Sequence, residues 1–229
     1  MNTVEAYKEG KVLLIDKPLY WTSFQVVNKV RWLIKQKFGL KKIKVGHAGT
    51  LDPLATGLLI LCTGKFTKKI ETYQTQEKEY TGTFTLGATT PSFDLETAID
   101  KTFDISGITE EKILAATVHL IGEIQQQPPV FSALKKDGKR LYKYARSGEK
   151  VEIPMRSVTI SEFEITKIDL PKINFRVVCS KGTYIRSLIH DFGKKLINGA
   201  HLIELRRTKI GNLLVENAIS ISDFETTLD

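Results

Sequence analysis

Apolar residues recur at Val26, Val27, Val30, Leu33 and Ile34, a 3.6-residue period that predicts a helix with one buried face. Thr22 or Ser23 can cap its start and Gly39 stops it. Val12–Ile15, ending at Asp16-Lys17-Pro18, and Leu58–Cys62 are apolar enough to be strands. Thr63-Gly64 then turns the chain into a polar helix toward Gln74. Tyr80, Gly82, Phe84 and Leu86 alternate with Thr81, Thr83 and Thr85, the period of a strand with one wet face. Thr109 caps a further helix, with Glu110 and Glu111 in its first turn, where the helix dipole favours acids. Strands near Val158–Ile165 and Phe175–Cys179 precede a Thr183-capped helix burying Ile185, Leu188, Ile189, Phe192 and Leu196, and a final strand lies near Leu202–Arg207. Strands mixed with non-alternating helices predict an α+β fold with a mixed or antiparallel sheet, not a doubly wound one.

Between residues 125 and 156 the pattern breaks. Gln-Gln-Gln-Pro-Pro interrupts regular structure, and Lys135, Lys136, Lys139, Arg140, Lys143 and Arg146 interleave with Phe131, Tyr142 and Tyr144. This reads as a mobile basic arm inserted into a single domain spanning residues 1–229. A soluble face is the plainer reading. Aromatic interleaving favours nucleic acid, because rings stack on bases while cations follow the phosphates. The whole chain carries 34 Lys plus Arg against 26 Asp plus Glu, a net +8 that also suits a polyanion.

Cys62 and Cys179 lie in apolar runs, so both read as buried thiols. With no Cys-x-x-Cys and only scattered histidines, no metal and no cofactor are expected. The N-terminus lacks a signal-peptide pattern, and no apolar run reaches the ~18 residues of a membrane span, which predicts a cytoplasmic protein with no membrane contact.

Gly46-His47-Ala48-Gly49-Thr50-Leu51-Asp52-Pro53-Leu54-Ala55-Thr56-Gly57 places one acid among three glycines. Asp before Pro commonly caps a helix, with Pro at its first position. The glycines pull the other way, since they permit close approach by a backbone or a ligand. His47 alone reads as a hydrogen-bonded structural residue. A second constellation is Lys181-Gly182-Thr183-Tyr184-Ile185-Arg186, where cations sit near a helix N-terminus that disfavours them. Arg186 follows an apolar-face residue, and a buried guanidinium needs a partner such as an aspartate; an ordinary surface ion pair is the rival reading. Tyr80 by itself is a core strand residue.

Taken together, these motifs resemble the TruB family of tRNA pseudouridine synthases, over about residues 11–215. The Gly46–Gly57 run resembles the catalytic motif, and Asp16-Lys17-Pro18 with Thr22-Ser23 resembles the N-terminal one. Glu79-Tyr80 resembles the tyrosine strand. Phe131-Ser-Ala-Leu-Lys135 followed by Gly138-Lys-Arg-Leu-Tyr142 resembles the RNA-gripping insertion, with Cys179–Arg186 and Leu205-Arg206-Arg207 completing the set. The resemblance implies a pseudouridine synthase core, a curved, mixed, mainly antiparallel sheet flanked by helices with a central RNA-binding cleft. It implies that Asp52 breaks the glycosidic bond of the uridine at position 55 in the tRNA T-loop. Tyr80 stacks on the target base, Arg186 pairs with Asp52, Leu205 packs in the pocket, His47 helps hold the flipped uridine, Tyr184 joins the substrate-binding set, and Lys17 supports the pocket. Lys135, Lys136, Lys139, Arg140, Tyr142 and Lys143 form the RNA arm. Two departures stand out: Tyr20 occupies a position where members commonly have Gly, and no room is left for the C-terminal PUA domain that many members carry.

The implied partner is the T-arm stem-loop of tRNA, with no obligate protein partner and a monomeric enzyme. Two other classes compete. A non-catalytic tRNA-refolding chaperone of the same fold has no use for the acid. A two-carboxylate hydrolase pairing Asp52 with Asp94 has little use for a basic arm.

Overall fold

The computed structural model describes residues 2–228. In chain order its elements are α1 (Val4–Glu9), β1 (Val12–Lys17), α2 (Ser23–Phe38), β2 (Val45–His47), β3 (Ala55–Thr63), α3 (Ile70–Gln74, entered through a 3-10 turn at Gly64–Lys69), β4 (Lys78–Leu86), β5 (Ala88–Thr89) and β6 (Lys101–Thr102). There follow α4 (Glu110–Val118), β7 (Gly122–Gln126), β8 (Lys135–Lys136), β9 (Lys139–Arg140), α5 (Leu141–Ser147), β10 (Arg156–Asp169), β11 (Lys172–Cys179), α6 (Ile185–Lys195), β12 (Ala200–Ile210), β13 (Leu213–Leu214) and α7 (Ile221–Thr226). The chain falls into two compact units, one made by residues up to Tyr80 plus those from Leu205 onward, the other by Thr81–Glu204. It passes from one to the other within β4 and again within β12.

In the first unit β3 is the hub. β1 runs antiparallel to it along its full length, from Val12 opposite Cys62 to Lys17 opposite Gly57. On its other side β12 runs parallel, with Leu205, Arg206 and Arg207 beside Ala55, Thr56 and Gly57. The mixed sheet predicted from the pattern is thus present. Helix α2 lies on this sheet because its 3.6-period stripe of Val26, Val27, Val30, Leu33 and Ile34 is buried with Ile15, Leu59, Leu61 and Phe224. Thr22 caps it in a reciprocal capping box with Gln25, and Gly39 ends it in the left-handed conformation. The other face of β3 buries Leu58, Ile60 and Cys62 with Ala48, Ile210 and Val215.

The second unit is built on antiparallel β7, β10 and β11. Phe84, Phe163, Phe175 and Phe192 form tilted and edge-on ring pairs with centroids 5.1–6.0 Å apart, which fasten α6 to the strands. One local expectation changes, and one rival reading falls. The cap of α6 is Tyr184, not Thr183, whose hydroxyl instead donates to the Ser180 carbonyl at 3.0 Å. Asp52-Pro53 starts no helix, because the chain turns there directly into β3, with the Ala55 N–H donating to the Asp52 carbonyl at 3.1 Å.

Candidate active site

The half-buried Asp52 belongs to a loop gripped from several sides within the first unit. Ahead of it the hydroxyl of Ser23, on the first turn of α2, accepts from the Leu51 N–H at 2.8 Å and donates to the Leu51 carbonyl at 3.0 Å. One buried side chain thus satisfies both backbone groups of the residue before the acid.

Beneath the loop lies Arg207, 1% exposed, whose Nε donates to the Leu58 carbonyl at 2.8 Å and whose Nη2 donates to the Gly49 carbonyl at 3.1 Å. Its placement follows from register: β12 runs beside β3, so Arg207 sits opposite Gly57. A Cβ on Gly57 would stand 2.3 Å from the Arg207 carbonyl oxygen. The close approach expected of this glycine is therefore an approach of backbone to backbone.

Lys17 completes the grip and is fully buried. Its Nζ donates to the Trp21 carbonyl at 2.6 Å and the Pro18 carbonyl at 2.9 Å, and reaches the Pro53 carbonyl at 3.5 Å. Burial pulls its pKa down to about 8; the Asp52 carboxylate opposes that pull and the Arg207 cation adds to it. At the end of β2, His47 is likewise held below its usual pKa by burial and by the Arg207 charge, so it is a neutral imidazole at pH 7. Leu205 lies beside Ala55 in the parallel pair, and Tyr80, 8% exposed, lies on β4. The same unit therefore carries Asp52, Lys17, His47, Leu205 and Tyr80.

Arg186 and Tyr184 belong to the second unit, on and just before α6. Arg186 is 3% exposed. Its Nη1 donates to the Ser92 carbonyl at 3.1 Å, its Nη2 donates to the Phe131 carbonyl at 2.9 Å, and its Nε lies 3.5 Å from the Asp94 carboxylate. Asp94 is itself buried and accepts from the Glu96 N–H at 2.9 Å. Phe93, in the left-handed conformation with φ +64°, stacks on His190 with ring centroids 3.8 Å apart and so anchors the Ser92–Asp94 turn. The Tyr184 N–H and carbonyl are both taken by the Gln126 side-chain amide.

The basic segment is a short ribbon, β8 against β9 across an Asp137-Gly138 turn, followed by α5. The positive φ of both turn residues explains Asp-Gly there. Several of its side chains are engaged within the segment itself. Lys139 pairs with Glu149 at 2.7 Å and covers the Tyr144 ring, while Lys136 donates to the Glu152 carbonyl and Arg140 to the Ala133 carbonyl. Tyr142 lies under Arg146, and Lys135 and Lys143 are exposed.

Two contributors carried no individual role in the sequence reading. Arg207 entered only as the end of a motif, and Asp94 only as the second acid of a hydrolase. The first left no local signal, because charged residues surround it in a strand that reads Leu202-Ile-Glu-Leu-Arg-Arg-Thr-Lys-Ile210. The second left none, because its partner lies far along the chain.

The family model "TruB family pseudouridylate synthase (N terminal domain)" matches residues 35–185, and "tRNA pseudouridylate synthase B C-terminal domain" matches residues 186–229. The chain belongs to the TruB family. Proteins named tRNA pseudouridine synthase B from Flavobacterium johnsoniae and Phocaeicola vulgatus are 64% and 56% identical to it. The first match spans 99% of both chains, and the second 97% of this chain and 95% of the relative. Among solved structures, a chain of a Cbf5-Nop10-Gar1 complex superimposes with a TM-score of 0.72 at 32% identity, over 98% of this chain and 56% of that one. A chain of an H/ACA RNP bound to a substrate RNA containing 2'-deoxyuridine gives 0.70 at 29% identity, over 98% and 55%. This TruB-family chain thus spans just over half the length of those two structures and nearly all of its sequence relatives. Among its described residues, no helix is long and apolar enough to cross a membrane.

Proposed function

We propose that this chain is a tRNA pseudouridine synthase acting on the T-loop uridine, with Asp52 as its catalytic carboxylate. The observation that carries the reading is the grip on the Asp52 loop by Ser23, Lys17 and Arg207, in a chain 64% identical over its length to a protein named for that reaction.

In the isomerisation the bond from C1′ to N1 breaks, the base rotates, and a bond from C1′ to C5 forms. The C5 proton leaves to solvent and N1 gains one, so atoms and electrons balance with no co-reactant. An ionised Asp52 serves each available route: attack at C6, attack at C1′, or removal of the C2′ proton. The base must first leave the stack, at a cost of a few kcal/mol that is smaller in a loop than in a duplex. We assign Tyr80 to stacking on that base, Leu205 to the apolar wall, His47 to the flipped nucleotide, and Arg186 to pairing with Asp52. We assign Tyr184 to substrate binding as well, and Lys17 to supporting the pocket. Three carbonyl and carboxylate contacts hold the Arg186 guanidinium rigidly, which suits a positioning cation. The T-arm of tRNA is the partner, gripped by the basic segment. We take it to work as a monomer in the cytoplasm.

Release of tritium from a T-arm RNA labelled at C5 of the target uridine reads the reaction directly. The wild type should release it, and Asp52→Asn should release none while still binding the RNA. Full release by Asp52→Asn would overturn the assignment, and binding without release by the wild type would identify a chaperone.

A further inference from the structure

Tyr20 is an exposed aromatic residue that the reaction leaves unused. Its backbone lies at φ +67°, a region glycine enters freely and a residue with a Cβ enters at a cost. Packing does not offset that cost, because the residue is 73% exposed. Nor is the conformation loosely held. The Tyr20 N–H donates to the Pro53 carbonyl at 2.8 Å, which ties it to the residue after Asp52. Lys17 closes the same turn through the Pro18 and Trp21 carbonyls. The ring is therefore carried on a rigid support beside the Asp52 loop.

We propose that Tyr20 is a stacking platform for a base of the substrate RNA neighbouring the target uridine. The inference rests on the reaction proposed above, since it is RNA that must reach Asp52. A ring on a fixed backbone position stacks with less loss of conformational freedom than one on a mobile loop, and stacking accepts any base. The stretch from Pro18 to Lys29 contains no Asp or Glu, and Asp16, just before it, is paired with Arg206 at 2.7 Å. The exposed Phe24, on the first turn of α2, adds a second ring four residues on.

Steady-state tritium release by wild type, Tyr20→Phe and Tyr20→Gly, with a thermal melt of each, tests this. Tyr20→Gly should raise KM for the T-arm RNA by about tenfold with kcat little changed, the loss of one stacked base. Its melting temperature should not fall, because glycine suits the left-handed backbone. Tyr20→Phe keeps the ring and should keep the wild-type KM. A wild-type KM in Tyr20→Gly, or a fall in kcat as large as the rise in KM, would overturn the proposal. A wild type that releases no tritium fails the functional reading itself, whereas an active wild type with an indifferent Tyr20→Gly fails only the stacking role.

Discussion

Lys17 shows how a single residue can be chosen for its environment. It is fully buried, and its pKa of about 8 means that it keeps its charge only below that pH. Losing the proton removes a cation whose field the Asp52 carboxylate shares. Tritium release should therefore fall as pH rises through about 8, while Lys17→Met should be slow and flat over the same range. Stability responds in the opposite sense. The folded-state pKa lies below the ordinary 10.5, so the unfolded chain binds the proton more readily and the Lys17 contribution to stability grows between about 8 and 10.5. A rate that holds steady through pH 8 in the wild type would show that this charge plays no part. Asp52 and Arg186 stood out in the sequence, as an acid among glycines and a cation beside an apolar helix face, whereas Tyr80 by itself read as a core strand residue. Arg207 did not stand out, since its value comes from two carbonyls, Leu58 and Gly49, that lie about 150 residues earlier.

Elements were read well where one face is dry. The α2 stripe, its Thr22 cap and its Gly39 stop follow from local rules alone, as does the buried run in β3. Pairing was not readable: nothing local says that β12 lies parallel to β3 or that Arg207 falls opposite Gly57. That register gives Gly57 its purpose. A methyl group there meets the Arg207 carbonyl at 2.3 Å and its nitrogen at 2.8 Å, on a backbone at φ +102°. Gly57→Ala should destabilise the protein by about 2–4 kcal/mol through overpacking and backbone strain together, as measured by urea unfolding. A loss below about 0.5 kcal/mol, the range of ordinary surface changes, would mean that the two strands can separate to admit it. The rival reading of Asp52-Pro53 as a helix cap fails at this scale, since β3 starts at Ala55, beside Leu205.

For the molecule as a whole, the net charge of +8 bears on RNA affinity, which should fall steeply with salt. The logarithm of the association constant should drop by about 0.7 per neutralised phosphate for each logarithmic unit of salt on single-stranded RNA. Replacing the exposed Lys135 and Lys143 together by Ala should reduce that slope by about 1.4, read by filter binding across a salt series. An unchanged slope would remove both lysines from the phosphate path. Lys139 is the weaker choice, because Glu149 already neutralises it within the segment.

The sequence by itself determined the main core strands and helices, the mixed α+β character and the family, because periodicity, caps and motif spacing are local properties; the β8–β9 ribbon and α5, in the stretch read as a mobile arm, it did not reveal. Tertiary structure alone decided what the motifs hold. Ser23 grips Leu51, Arg207 supports Gly49 and Asp94 meets Arg186 across 28, 158 and 92 residues of sequence. Such pairings depend on strand register and on where buried charges find carbonyls and carboxylates, and neither leaves a local trace.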